Sequence, residues 1–297
     1  MKVFNGIKNK YLFLFIYSLS LIFFTVYLLL DTFVLTSSLK TVEFSNTIDI
    51  DTGEVVSDDN SYEDDNIKIS ISEIRKYNTT IYIADVVVKN SEYLKTAFAN
   101  NTYGKNVTST TSSIADSVNA ILAVNGDYYG VQQRGYVLKN GVIYRTTSNN
   151  NEDLVIYEDG SWKIINESEV SLEELVEDGA YNLLSFGPAL VTNGEISVSE
   201  SEEVGKAKAS NPRTAIGIID DNHYVFVVSD GRTSISEGLS LYELAEIMED
   251  LDCDIAYNLD GGGSSTMIFN GNVINNPTTG GNKIKERSVS DIVYIGY

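Results

Sequence analysis

The chain has 297 residues, enough for a membrane anchor plus one large domain or two small ones. Its hydrophobic content of 43% and charged content of 21% suit a chain that buries a core, and exclude one disordered throughout. With 42 acidic against 21 basic residues the net charge is -21, which excludes nucleic acid as a partner, because binding it needs clustered Lys and Arg.

Tyr11–Leu30 (YLFLFIYSLSLIFFTVYLLL) carries no charge over twenty positions. As a helix it covers about 30 Å, the hydrocarbon thickness of a bilayer. Lys2, Lys8 and Lys10 precede it and Asp31 follows, so the positive-inside rule places the N-terminus in the cytoplasm. The expectation is an uncleaved, single-pass signal anchor in the cell membrane, with residues 1–10 cytoplasmic, 11–30 spanning and the rest extracytoplasmic. A cleaved signal peptide is the competing reading; the apolar run is too long for it, and DTFVLTSS offers no small-x-small site. Residues 31–66 hold ten acidic residues and one lysine without a strand or helix period, and are expected to form an extended acidic stalk. EF-hand spacing is absent from Asp58–Asp65.

From Ile67 the pattern is mostly strand. IKISISEIRKY alternates, and TTIYIADVVVK is β-branched enough for a buried strand. Thr108–Ala120 reads as helix, Ile121–Val124 as a short strand, and further strands are expected at Arg134–Ile143, Leu154–Tyr157 and Trp162–Ile165. Thr214–Ile219 and Tyr224–Ser229 form a hairpin, in whose turn the single histidine, His223, is expected to be solvated. Leu239–Leu251 is the clearest helix, with Ser240 and Glu243 as a capping box and Leu241, Leu244, Ala245, Met248 and Leu251 on one face. Ile255–Leu259 and Ile292–Ile295 are strands. The single cysteine, Cys253, between Asp252 and Asp254, is read as a buried structural thiol. The regular βαβ alternation of a doubly wound fold is missing, so residues 67–297 are expected to form one α+β domain, a mixed sheet with flanking helices.

Three loops combine acidic, amide and glycine residues directly after apolar strands: Asn125-Gly126-Asp127, Ser229-Asp230-Gly231-Arg232, and Asn258-Leu259-Asp260-Gly261-Gly262-Gly263-Ser264-Ser265. A lone Asp-Gly is ordinarily a hairpin turn. The threefold recurrence, with polar groups no turn requires, points to a site. Gly261–Gly263 suits backbone at positive φ or close ligand approach, and its successive amides, with the hydroxyls of Ser264 and Ser265, suit a nest for a phosphate or sugar oxygen. Neither a Walker loop nor GxGxxG is present.

NLDGGGSSTM (Asn258–Met267), with SFGPAL (Ser185–Leu190), NPRTAIG (Asn211–Gly217), SDGR (Ser229–Arg232), SEGLSLYELAEIM (Ser236–Met248) and ERSVSD (Glu286–Asp291), resembles the phosphodiester glycosidase family in order and spacing over about Ala120–Gly296. NGDYYG resembles a loop of the family's bacterial members, and Ser288 stands where a proline is common. The resemblance implies hydrolysis of a sugar-1-phosphodiester, a glycan or sugar-phosphate as substrate, and release of a phosphomonoester.

Residue chemistry is compatible. Such a reaction needs a base or nucleophile at the anomeric carbon and an acid or cation for the departing phosphate. The carboxylate candidates, in order, are Asp260, Asp230, Asp127 and Glu237. Arg213 and Arg232 are expected to bind phosphate, with a structural ion pair as the competing reading for each. Asn125, Asn258, Gly261, Gly262, Gly263, Ser264 and Ser265 complete the expected substrate contacts, and Tyr128, Tyr129 and Tyr136 are candidates for stacking on sugar. Ca²⁺ or Mg²⁺ at Asp127 or Asp260 is left open; zinc is disfavoured without clustered His or Cys. Two other functions fit the same residues: a glycan-binding or exopolysaccharide assembly protein without turnover, and a metal-dependent phosphodiesterase that cuts P–O.

Overall fold

The computed structural model describes residues 2–41, 52–201, 210–280 and 283–297. Ile67–Lys76 and Thr79–Val88, the longest strands, are joined by Tyr77 and Asn78 at φ 51° and 52°. Two consecutive residues at positive φ make the tight turn whose twist matches a right-twisted hairpin. This hairpin belongs to a nine-stranded sheet in the order Glu195–Ile196, Ala189–Thr192, Ile255–Asn258, Thr214–Asp220, His223–Ser229, Thr79–Val88, Ile67–Lys76, Ser61–Glu63 and Val56–Ser57. A second sheet has five strands in the order Asn272–Val273, Met267–Phe269, Leu122–Asn125, Asp291–Ile295 and Leu94–Phe98. Their ladders are antiparallel, from Ala215↔Asn258 in the first to Val293↔Val124 in the second.

Period-two alternation sends one face of each sheet inward. Tyr82, Ala84, Val86 and Phe226 of the first meet Leu122, Val124, Phe269 and Val293 of the second in one buried cluster, which Leu154, Ile156 and Trp162 of a three-stranded sheet extend. Each outer face carries a helix. Leu241–Asp250 lays Leu241, Leu244, Ala245 and Met248 on Ile81, Val225 and Val227, and Thr111–Ser117 lays Ile114 and Ala115 on Ala123 and Ile292. Ser240 and Glu243 close the expected capping box. The α+β expectation holds, with the core lying between two sheets flanked by helices. Cys253 is buried, and burial pushes its thiol up to about 12. His223 begins a strand rather than occupying the turn, with Nε2 2.5 Å from Asp85 Oδ1.

The N-terminal helix runs Lys2–Phe33, and its Tyr11–Phe33 part is long and apolar enough to cross a membrane. The segment expected to be a free stalk is paired at both of its described ends; residues 42–51 of it lie outside the described residues. Ser37–Thr41 pairs with Thr102–Lys105, while Val56–Ser57 and Ser61–Glu63 add to the edge of Ile67–Lys76. Its acids build turns here: Asp58 Oδ1 accepts from the amides of Asn60 and Ser61, and Asp64 Oδ1 from those of Asn66 and Ile67. Local side-chain hydrogen bonding of this kind leaves no hydrophobic period to read.

Candidate active site

The strand ends that carry the three polar loops converge. Ala215 pairs with Asn258 in one sheet, and Asn125 with Ile292 in the other. The buried Asn125 amide ties the sheets together: Nδ2 donates to the Asp260 carbonyl at 2.6 Å, and Oδ1 accepts from Thr214 Oγ1 at 2.8 Å. Asn125 therefore holds Asp260 in place from behind rather than meeting a ligand.

Beside this brace lies a cleft of about 430 Å³ lined by Tyr128, Gln132, Phe186, Asn211, Arg213, Arg232, Asp260, Gly261, Gly262 and Arg287. Among the described residues, three guanidinium groups and one carboxylate line it, in a chain of net charge -21. Asp260 is 9% exposed, and its Oδ2 accepts from Arg287 Nη2 and from Ser264 Oγ, both at 2.6 Å. Arg287 Nε donates to the same Ser264 hydroxyl at 2.8 Å, so Ser264 orients both partners from behind. Arg213 is buried with Nε on the Leu239 carbonyl at 2.9 Å, and Arg232 Nη2 donates to Asn211 Oδ1 at 3.0 Å. Arg232 sits at φ 61°, a conformation that costs a non-glycine residue on the order of 1 kcal/mol and that gathers at functional sites.

Of the amides expected to form a nest, three are committed to backbone carbonyls. The N–H groups of Gly262, Ser264 and Ser265 donate to the carbonyls of Pro212, Gly261 and Gly262 within a 3₁₀ turn, Gly262–Ser264. Gly262 serves shape: φ is 64°, and a Cβ there would lie 2.8 Å from Arg232 Nη2. Gly263, Ser265 and Asn258 lie buried outside the lining, Asn258 donating from Nδ2 to the Gly187 carbonyl at 2.7 Å.

The other carboxylate candidates are placed elsewhere. Asp230 is buried and holds the Asn275-Asn276 turn, accepting from the Asn276 amide at 2.8 Å and from its Nδ2 at 2.9 Å. Glu237 is exposed and outside the lining. Asp127 is buried, with Oδ1 on the Tyr129 amide and Oδ2 3.2 Å from Lys139 Nζ. The same ammonium lies 2.8 Å from Asp291 Oδ2. This triad sits one layer behind Asp260 through Gly126, whose amide donates to the Asp291 carbonyl and whose carbonyl accepts from Asp260 N. A Cβ on Gly126 would meet the Asp291 carboxylate at 2.6 Å, so the close approach demands glycine.

Burial, with Asp127 beside it, pushes Asp291 up to about 7 against the pull of Lys139. Burial alone would pull Lys139 down, but Asp127 and Asp291 outweigh it and hold the ammonium above its ordinary value. Asp153, fully buried with Glu167 near, is pushed up to about 9, chiefly by burial. Of the tyrosines, Tyr128 alone lines the cleft. Tyr129 packs with Phe98 and Tyr103, and the Tyr136 hydroxyl donates to the Val170 carbonyl at 3.1 Å. Among the described residues no group of three or more His, Cys, Asp or Glu is placed to hold a metal ion. At Asp127 and Asp260 the neighbouring cations are Lys139 and Arg287.

Sequence reasoning had no place for Arg287, Asn211, Phe186, Gln132 or Lys139 in the site. For Arg287, Phe186 and Asn211 a signal was present, since they lie inside the family-like motifs ERSVSD, SFGPAL and NPRTAIG. Lys139 carried a weaker one, a charge ending the apolar run Tyr136-Val137-Leu138.

A family model described as phosphodiester glycosidase matches residues 118–296. Among curated proteins, the chain is similar to the SPbeta prophage-derived uncharacterized protein YomE of Bacillus subtilis, 29% identical over 201 residues, which cover 66% of this chain and 31% of YomE. It is also similar to the mouse N-acetylglucosamine-1-phosphodiester alpha-N-acetylglucosaminidase, 34% identical over 108 residues, 32% of this chain and 21% of the enzyme. The matches thus span less than a third of these relatives. In fold it is similar to the auto-inhibited catalytic domain of the zebrafish N-acetylglucosamine-1-phosphodiester alpha-N-acetylglucosaminidase, with a TM-score of 0.62, 20% identity and 89% of each chain covered.

Proposed function

The chain belongs to the phosphodiester glycosidase family, and from that premise we propose a membrane-anchored, extracytoplasmic hydrolase that cleaves the glycosidic bond of a sugar-1-phosphodiester in envelope or secreted polysaccharide. One observation carries the reading: Arg213, Arg232 and Arg287 share a cleft with the Asp260 carboxylate. A phosphodiester brings one negative charge, and planar guanidinium groups match its oxygens bidentately. Charge neutralisation there makes the phosphate a competent leaving group without a strong general acid. The anomeric carbon then faces Asp260, whose hydrogen bonds to Ser264 and Arg287 both fall on Oδ2. Oδ1 is the proposed nucleophile or base, and Tyr128 the proposed platform for a sugar ring.

The topology proposed is a cytoplasmic tail (residues 1–10), a span within Tyr11–Phe33, and the two-sheet domain outside. The reaction is tested with the full chain in detergent, sugar-1-phosphodiester substrates and heavy-oxygen water. Label in the released sugar is expected, from attack at carbon. Label in the phosphomonoester would mean P–O cleavage, and absence of turnover across a broad panel would favour a glycan-binding protein.

A further inference from the structure

The cleft mouth is tied to the end of the apolar helix through one residue. Asn106 Nδ2 caps the helix end, donating to the carbonyls of Thr32 at 3.2 Å and Leu35 at 3.0 Å, while its backbone N donates to Gly130 O at 3.0 Å. Gly130 lies between Tyr128 and Gln132, both of which line the cleft. Lys105 Nζ adds an ion pair to Asp31 at 2.9 Å, and Lys40 Nζ lies 4.8 Å from the Tyr144 ring centroid. Arg145 Nη1 donates to the carbonyls of Tyr129 and Gln132, holding the rim loop as one piece. A second observation is independent of these contacts. In a chain with twice as many acids as bases, residues 32–41, 93–115 and 128–151, which meet here, contain no Asp or Glu, and the acids that reach them are partnered, Asp31 with Lys105 and Glu286 with Ser112. Their exposed rim carries Tyr128, 43% exposed, Val131, 40% exposed, and the exposed Arg134.

We infer that this acid-poor face lies on the membrane from which the helix emerges, and that the substrate is a sugar-1-phosphodiester carried by a lipid of that membrane. The inference rests on the proposed reaction and on the helix as a span. The headgroup layer is roughly 5–8 Å deep on each side of the hydrocarbon, and the rim is joined to the helix end through Asn106 and Gly130, which brings it toward that layer. Tyr, Val and Arg suit that interface, where aromatic rings and basic groups settle and acids would be repelled by anionic lipid. Hydrolysis there places the oxygen of water on the anomeric carbon. The electron pair of the broken C–O bond leaves with the phosphate, which stays on the lipid as a phosphomonoester, and the protons of water divide between the sugar hydroxyl and the medium.

The full chain is reconstituted in phosphatidylglycerol–phosphatidylethanolamine vesicles, with a fluorophore on Val131→Cys; buried Cys253 stays unlabelled. Quenching by headgroup spin labels is expected, and its absence overturns the docked face. Turnover is then compared between sugar-1-phosphoryl-diacylglycerol in the same vesicles and its soluble glycerol analogue. The lipid form is expected to show a kcat/KM higher by about tenfold or more, and Val131→Asp with Arg134→Glu is expected to erase that preference while leaving the soluble rate intact. Equal rates for the two substrates, or an equal loss on both, would overturn the lipid assignment. Failure of both substrates with quenching intact would refute the reaction and leave the membrane face standing.

Discussion

Asp260 is held by groups that leave one oxygen uncommitted, and its replacement is the most direct probe of the cleft. Asp260→Asn preserves size and keeps an oxygen acceptor for Arg287 and Ser264. It is expected to lower kcat by about 10²-fold or more with an unchanged circular dichroism spectrum, the scale of loss for a positioned acid–base group. Near-normal kcat would remove Asp260 from the chemistry. Gly262 tests shape instead of charge. Gly262→Ala places a methyl group 2.8 Å from Arg232 Nη2 at φ 64°. The arginine tip must move, so KM is expected to rise by roughly tenfold while stability falls by about 1 kcal/mol, read by substrate titration and urea unfolding. An unchanged KM would show that Arg232 does not contact substrate.

Between the strands, the Lys139–Asp127–Asp291 triad joins Val137–Lys139, the Asn125 loop and Asp291–Ile295. Removing only its cation leaves two carboxylates buried together. Lys139→Met is therefore expected to cost about 3–5 kcal/mol in urea unfolding, and Asp127→Asn added to it to recover part of the loss. A loss below about 1 kcal/mol would show that the triad opens to solvent. The acids of this region also set a pH dependence. Asp291 at about 7 and Asp153 at about 9 are raised above the ordinary carboxylate value, so between about pH 4 and those values the folded domain holds protons that the unfolded chain releases. Their stabilising contribution is thus complete below pH 4 and is lost as pH rises, to about 7 for Asp291 and about 9 for Asp153. The urea midpoint is expected to fall from pH 5 to 9, and Asp153→Asn to flatten the part above pH 7. A midpoint that rises with pH in the Asp153 parent would contradict the assignment.

For the molecule as a whole, the proposed anchor predicts a full chain that resists extraction from membranes at high pH, and a chain beginning at Thr52 that does not. Release of the full chain with a mature N-terminus near Thr36 would instead indicate a cleaved signal. The domain's own start is a separate matter. Asp64 receives the hydroxyls of Tyr62 and Tyr297 at 2.6 and 2.5 Å, clasping both ends of the domain. A chain beginning at Ile67 loses that clasp and is expected to be less stable than one beginning at Thr52 by about 2 kcal/mol; equal stability would mean the clasp contributes nothing.

Much of this was legible along the chain because it is local. The apolar run Tyr11–Leu30, the Ser240–Glu243 capping box, the alternation of Ile67–Lys76 and the polar loop Asn258–Ser265 all carry their signal within a few residues, and family resemblance added the expected reaction. Tertiary structure decided which of those loop residues share a cleft. It brought Asp260, Arg213 and Arg232 together with Arg287, turned Asn125 into a brace and committed Asp230 to the Asn275-Asn276 turn. It also paired the acid-rich stretch after the helix. These outcomes depend on strands far apart in sequence meeting edge to edge and face to face. Side-chain type restricts what a residue can bond, but only the meeting of the two sheets determines which partner is within reach.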